Sequence, residues 1–177
     1  MSQESRRELV SVDEAEDLSL PVIVERLNEA HEILAEELLP ELQRLMGQAL
    51  DAQGEEFPSV LRVLDTELDS LESQMADHVL TEERRLFPHI RSLFGGGASD
   101  GEEILADLRH EHENAAEILG RMRRVTGDYV IPNNDMEPIH RHYRALDAFE
   151  KKVREHIEVE EDVLIYRARK LKRRSQQ

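Results

Sequence analysis

The 177-residue sequence contains no cysteine and no tryptophan, and aromatic residues make up only 4% of it. The absence of cysteine excludes disulfide bonds, thiolate zinc sites, cysteine-ligated iron–sulfur clusters and cysteine nucleophiles. Positive charge is also scarce, with 23 Lys and Arg against 39 Asp and Glu and a net charge of −16. Since phosphate binding needs clustered positive charge, this balance argues against a nucleic-acid partner.

Long apolar runs are missing as well. No stretch approaches the roughly 20 apolar residues that cross a bilayer, and the polar, acidic N-terminus has no apolar core typical of a signal peptide. The sequence therefore predicts a cytoplasmic protein with no membrane partner.

Apolar residues recur every three or four positions in four long stretches, the period of a helix with one buried face. The stretches run over residues 20–45, 61–86, 105–122 and 142 to about 172, separated at residues 47–58, 95–97 and 127–138. Strand patterns are absent. We predict an all-α protein, an up-down-up-down four-helix bundle over residues 18–172. A flexible segment, residues 1–17, would precede it, and a basic, polar tail, residues 173–177, would follow.

Four of the histidines lie on the apolar stripes of four different predicted helices: His31, His78, His112 and His156. Two of them carry a glutamate four residues on, Glu82 and Glu160, and residues four apart share one helix face. Counting from the loops at 1.5 Å per residue places the four imidazoles at one level of an antiparallel bundle, to within roughly one to two turns. Because buried charged groups are costly unless paired or metal-bound, these six side chains predict a metal site.

The other four histidines are predicted to lie outside this site. His110 lies about 160° around its helix from His112, so it faces solvent or a helix edge. His89 and His140 flank prolines or helix ends and are predicted at the surface. His142 is on the stripe but about 21 Å from His156, as an end-of-core histidine or a weak second-site ligand. Several glutamates adjoin the ligands and are predicted to be mostly solvated, with Glu111 able to reach a channel or a second shell: Glu32, Glu83, Glu111, Glu113 and Glu161.

The donor set narrows the choice of metal. Nitrogen and carboxylate donors without thiolate suit iron, zinc or manganese. Six ligands are too many for one tetrahedral zinc, but they fit two ions, each held by two histidines and bridged by both carboxylates. We predict two iron ions in preference to manganese or zinc.

Ferritin-like bundles are the obvious alternative, and they supply Glu-x-x-His from two of their helices. The residues three before the four histidines are Asn28, Met75, Arg109 and Val153, so that motif is missing. A histidine-rich, carboxylate-poor site favours a gas or peroxide ligand over iron storage.

At these residues the chain resembles a hemerythrin-like (HHE cation-binding) domain, and more narrowly the di-iron proteins that repair iron centres. The likeness is carried by HVLTEERRLFPHI from residue 78, EHENAAEIL from residue 111 and HIEVEEDVLIYRA from residue 156. HEILAEELLPEL, from residue 31, matches after a one-residue slip. The likeness covers about residues 20–170.

Two departures from related proteins stand out. Oxygen-carrying hemerythrins place a fifth histidine where this chain has Ala116, and their last carboxylate falls at the position of Glu161. Repair proteins of this kind commonly carry a small N-terminal domain with a cysteine pair, and no cysteine is present here.

The resemblance implies an oxo- or hydroxo-bridged di-iron centre with one open position per iron, where nitric oxide, peroxide or dioxygen binds. It implies a redox protein that handles these molecules in iron–sulfur cluster repair or stress defence, with iron–sulfur proteins as clients. Reversible dioxygen binding or gas sensing without turnover is the alternative. A third interpretation is a metal-free helical interaction protein with an acidic surface.

Overall fold

The computed structural model describes residues 9–53, 59–94, 101–131 and 136–175. Within these ranges the chain forms five continuous helical stretches and no strand, which confirms the predicted all-α class. They are α1 (Val12–Asp17), α2 (residues 20–53), α3 (residues 59–94), α4 (Glu102–Val125) and α5 (residues 137–175). Among the described residues, no helix is both long and apolar enough to span a bilayer.

Three of the long helices widen into a π-helix part of the way along. The π segments are Glu32–Leu38 in α2, Glu82–Leu86 in α3 and Val159–Ile165 in α5. α-Helix precedes and follows each of them, over Leu20–His31 and Leu39–Gln53, Ser59–Thr81 and Phe87–Phe94, and Glu137–Glu158 and Tyr166–Ser175. Such insertions are rare and occur frequently at functional sites. Here the segment in α2 begins directly after His31, the segment in α3 begins at Glu82, and the segment in α5 begins one residue before Glu160.

The apolar core forms two clusters, and each long helix contributes to both. One cluster contains buried residues such as Leu34, Leu64, Met122 and Phe149, and the other contains Ile23, Phe87, Leu108 and Val163. Along every long helix the change from one cluster to the other falls at a predicted metal ligand. The six predicted ligands therefore form a polar layer between two apolar halves of the core.

Helical structure extends past two of the predicted boundaries. The break predicted from Gly47 begins later, because α2 continues to Gln53; residues 54–58 lie outside the described residues. The N-terminal segment, predicted to be disordered or loosely helical, contains α1, which begins with a capping box between Ser11 and Glu14. Val10 and Ala15 are buried there, in the same cluster as Ile23. These apolar contacts extend the packed domain to Val10, while residues 1–8 lie outside the described ranges.

The C-terminal boundary also shifts. The last helical segment runs over Tyr166–Ser175, three residues past the predicted end at 172. Arg167 in this segment donates a hydrogen bond to the Leu18 carbonyl oxygen at 2.6 Å, so the two ends of the described chain lie against each other. Residues 176–177 of the predicted tail are outside the described residues.

Candidate metal centre

The structure brings all six predicted ligands together in the interior. Their exposed fractions range from 0% for Glu82 and Glu160 to 8% for His78. Five of them offer ligand atoms that all lie within 4.8 Å of one another: His31, His78, Glu82, His156 and Glu160. His112 stands at the edge of this group, with its Nε2 3.0 Å from Glu160 Oε2.

Glu160 lies between two pairs of imidazoles. Its Oε1 is 2.7 Å from His156 Nε2 and 3.8 Å from His31 Nε2. Its Oε2 is 3.0 Å from His112 Nε2 and 3.9 Å from His78 Nε2. Glu82 approaches the first pair, with its Oε2 3.3 Å from His31 Nε2. One carboxylate thus presents a different oxygen to each histidine pair, the arrangement that a bridge between two ions requires.

The chemistry of these atoms fits a metal. Both oxygens of Glu82, both oxygens of Glu160 and Nε2 of His112 are buried and make no hydrogen bond of good geometry in the described chain, although ring nitrogens approach Glu160 to 2.7 Å. Nε2 of His31 and Nε2 of His156 face each other at 3.1 Å, so the pair needs either a proton or a cation between them. Buried carboxylates without a partner cost free energy. A cation bound by these nitrogen and oxygen atoms would be a partner for every one of them.

In the metal-free cluster, burial and mutual interaction shift the pKa values of both carboxylates and of two imidazoles. Burial, followed by the charge of Glu160, raises the pKa of Glu82 to about 7. Burial opposes ionisation of Glu160 as well, but neighbouring histidines outweigh it and hold its pKa well below the usual range. Burial would lower the pKa of His31 and His112, yet hydrogen bonds and charges of the carboxylates raise both to about 9.

Two further carboxylates, outside the six predicted ligands, accept hydrogen bonds from two of the imidazoles. Nδ1 of His78 donates to Glu111 Oε2 at 3.2 Å, and Thr81 Oγ1 donates to the other oxygen of Glu111 at 2.9 Å. Glu111 therefore contacts a predicted metal ligand directly. Nδ1 of His112 donates to Glu161 Oε1 at 2.9 Å. Glu161 was predicted as solvated, and although its side chain is 43% exposed, that prediction missed its contact with His112.

The sequence gives only an ambiguous indication that Glu161 contacts a predicted metal ligand. It directly follows Glu160, and two neighbouring residues of an α-helix point in different directions. The wider π turn over Val159–Ile165 brings both carboxylates towards α4. A pattern of period 3.6 cannot anticipate that geometry.

The remaining histidines differ in exposure. His110 is exposed, as predicted. His89 and His140, predicted at the surface, are only partly exposed: a Cβ at Gly101 would collide with the His89 ring, and His140 lies 3.8 Å from Glu137. His142 is fully buried outside the metal group, and neither of its ring nitrogens has a hydrogen-bond partner among the described residues.

A cavity of about 390 Å³ reaches the cluster from the side of His31. It lies between α2 and α3, and its lining includes Asn28, His31, Glu32, Glu36, Glu83, Phe87 and Arg91. The Phe87 ring stacks on His31 with centroids 6.1 Å apart. The cavity beside His78, His112 and His156 is about 30 Å³ and mostly apolar. Small molecules therefore have more room on the His31 side.

Fold and site together define a helical protein with a buried histidine–carboxylate metal site. Residues 22–168 match the family described as the hemerythrin HHE cation binding domain, and the chain belongs to this family. The resemblance at the histidine motifs is thereby confirmed.

Three bacterial relatives are each named as an iron–sulfur cluster repair protein. The chain is 28% identical to the iron–sulfur cluster repair protein DnrN of Neisseria gonorrhoeae, over 82% of its own length and 86% of that protein. It is 30% identical to the iron–sulfur cluster repair protein YtfE of Dickeya chrysanthemi, over 82% of this chain and 62% of the relative. It is 29% identical to the iron–sulfur cluster repair protein ScdA of Staphylococcus epidermidis, over 76% and 59%. The chain thus spans about three fifths of the latter two relatives.

Proposed function

We propose that this chain is a non-haem di-iron protein that takes part in iron–sulfur cluster repair under oxidative or nitrosative stress. The observation that carries the proposal is the double approach to Glu160, with one oxygen facing each of two histidine pairs. The likeness to relatives named as iron–sulfur cluster repair proteins supports the cellular role.

In this proposal two iron ions, linked by an oxo or hydroxo group, bind to the six buried side chains. His31, His78, His112 and His156 would supply nitrogen ligands, and Glu82 and Glu160 would supply carboxylate oxygens. The set suits iron, zinc or manganese and is too large for one tetrahedral ion; iron is proposed because the relatives are named as iron–sulfur cluster repair proteins. Bound iron supplies redox chemistry and open positions for nitric oxide, peroxide or dioxygen.

The chain's own residues would control access and orientation. Burial of all six ligands keeps bulk water from the centre, and the cavity at His31 admits small diatomic molecules or peroxide. Glu111 and Glu161 orient His78 and His112 through their Nδ1 hydrogens, which fixes the nitrogen that faces inward. Ala116, at the position of the fifth histidine of oxygen carriers, is exposed and offers no ligand. A four-histidine centre keeps more open positions for reaction.

We also propose that α2, α3, α4 and α5 form the up-down-up-down bundle. Support comes from the two core clusters: α2 and α4 run from the cluster of Ile23 to that of Leu34, and α3 and α5 run the opposite way. This alternation is expected of antiparallel neighbours joined by short connections.

Iron loading of matched variants tests the proposal. The protein reconstituted with ferrous iron without oxygen should hold about two irons per chain and change its absorption spectrum on addition of nitric oxide. His112→Ala and His156→Ala should each lose iron, because every ligand contributes to one shared cluster. His110→Ala, an exposed histidine two residues from His112, should retain the full content.

Repair itself is measured by mixing the loaded protein with an iron–sulfur protein whose cluster nitric oxide has damaged. Recovery of the client's cluster absorbance is the expected result. Full iron loading with neither a nitric oxide reaction nor transfer to the client would contradict the proposal. A stable dioxygen adduct that releases its ligand under vacuum would favour reversible carriage instead.

A further inference from the structure

The two histidine pairs of the metal centre differ in how their outer nitrogens are held. Nδ1 of His78 and Nδ1 of His112 donate to carboxylates at 3.2 and 2.9 Å. Nδ1 of His31 and Nδ1 of His156 are buried without a hydrogen-bond partner among the described residues. An outer carboxylate fixes the ring and strengthens it as a ligand, and losing such a partner typically costs roughly 10–100-fold in metal affinity.

Distances divide the imidazoles into the same two pairs. The ring centroids of His31 and His156 are 4.8 Å apart, and those of His78 and His112 are 5.1 Å apart. Glu160 presents Oε1 to the first pair and Oε2 to the second. One metal position is therefore bounded by two imidazoles whose Nδ1 atoms have no hydrogen-bond partner among the described residues, which we call the unsupported pair. The other is bounded by the supported pair, whose Nδ1 atoms donate to carboxylates.

The large cavity reaches one member of the unsupported pair, His31. Among the six predicted ligands, His31 alone lines the cavity of about 390 Å³ between α2 and α3. Its charged lining consists of three carboxylates and one guanidinium: Glu32, Glu36, Glu83 and Arg91. A wall of net negative charge concentrates cations.

Asn28 supplies a further oxygen beside this cavity. It lines the cavity one helical turn before His31, and its Oδ1 is buried without a hydrogen-bond partner in the described chain. Amide and carboxylate oxygens are ligands for divalent cations. The lining of this one cavity thus combines net negative charge, the unsatisfied oxygen of Asn28 and the unsupported ring of His31.

We propose that the two metal positions are unequal: the His78–His112 position retains its ion, and the His31–His156 position exchanges ferrous iron with solution through the cavity between α2 and α3. This inference rests on the proposed di-iron function, and it identifies the ion that a repair protein gives to its client. The exchanged ion leaves as ferrous iron, so no electron is transferred in the step.

Anaerobic titration and release of ferrous iron test the inequality. Two binding steps are expected, separated by about 100-fold or more in affinity. Release to an excess of ferrous chelator should show a fast and a slow phase of equal amplitude. Glu111→Ala and Glu161→Ala should each accelerate the slow phase roughly 10-fold or more and leave the fast phase unchanged.

The route is tested separately from the affinity. The double variant Glu32→Gln with Glu83→Gln should slow the fast phase several-fold without changing the amount of iron bound, because it removes charge from the cavity alone. Glu113→Gln, an exposed carboxylate beside His112 and outside the cavity lining, is the matched control and should release iron as the wild type does.

Mössbauer spectra assign the positions. Half-loaded wild type should show one iron environment, and His31→Ala, which keeps only the supported position, should show the same one. Two irons bound with one affinity and released in one phase would overturn the inequality while leaving the di-iron function intact. Acceleration of the fast phase by Glu161→Ala would overturn the assignment. Failure to bind two irons would overturn the proposed function itself.

Discussion

Single residues show how differently this interior treats buried imidazoles. His31 and His112 lie beside carboxylates, whose hydrogen bonds and charges outweigh burial and raise their pKa to about 9. His142 is equally buried, but burial is the cause of its shift and lowers its pKa to about 4. The same side chain therefore serves as a proton or cation site in one layer and as a neutral core residue in another.

His142 should make stability depend on pH. The folded protein keeps His142 neutral down to about pH 4, whereas the unfolded chain binds a proton near the ordinary pKa of 6.5. Above pH 6.5 both states are neutral and no dependence arises. As the pH falls from 6.5 to about 4, the unfolded state binds more protons, and about 3 kcal/mol of stability is lost.

Denaturant unfolding of metal-free wild type and His142→Leu at neutral pH and near pH 4 measures this loss. The wild type should lose about 3 kcal/mol more than His142→Leu over this range. His110→Leu replaces an exposed histidine on α4 and should retain the wild-type dependence. Identical pH profiles for wild type and His142→Leu would show that the buried imidazole does not resist protonation.

At the scale of elements, a left-handed turn after α4 stabilises a buried polar group. Gly127, Asp128 and Tyr129 have φ of 61°, 62° and 57° in succession. The turn carries Tyr129 inward, where its hydroxyl donates to Glu150 Oε2 at 2.7 Å. Glu150 is fully buried and also accepts hydrogen bonds from Arg123.

The same substitution at two glycines should have opposite effects. Gly127→Ala should lower the free energy of unfolding by about 1 kcal/mol, because L residues with a side chain rarely adopt positive φ. Gly47→Ala should raise it by up to about 1 kcal/mol, because Gly47 lies inside a helix. A Cβ at either position meets nothing within 4 Å, so backbone conformation alone decides the sign.

Urea unfolding of the two variants beside wild type provides the measurement. Shifts of the same sign at both positions would refute the backbone argument. A large loss at Gly127 would instead point to disruption of the Tyr129–Glu150 hydrogen bond.

For the whole molecule, the polar layer makes stability depend on metal. The layer joins four helices from sequence positions as distant as His31 and Glu160, and its two central carboxylates repel each other in a chain of net charge −16. A bound cation stabilises only the folded state, since the unfolded chain does not assemble the site.

Iron loading should therefore raise the unfolding temperature. Each bound iron adds about 2.7 kcal/mol at free iron 100 times its own dissociation constant, or roughly 5–10 °C for a chain of this size. Glu82→Gln should raise the unfolding temperature of the metal-free protein, because one buried like charge is gone, and should lose most of the iron-dependent gain. Calorimetry with and without iron tests both effects.

Glu113→Gln changes the same charge at an exposed position and should show the wild-type gain on iron loading. If Glu82→Gln kept the full gain, Glu82 would not be a metal ligand.

The helical class, the placement of one histidine on each stripe and the two His-x-x-x-Glu pairs followed from the sequence, because an apolar period of 3.6 reports which side chains share a buried face. Depth counting brought the imidazoles to one level, and the ring separations of 4.8 to 6.1 Å in the structure agree with it. Only the tertiary structure decided the three π segments, the packing of α1, the support of His112 by Glu161 and the cavity at His31. These features depend on how one helix is rotated and placed against another, and the period along a single helix carries no record of its neighbour.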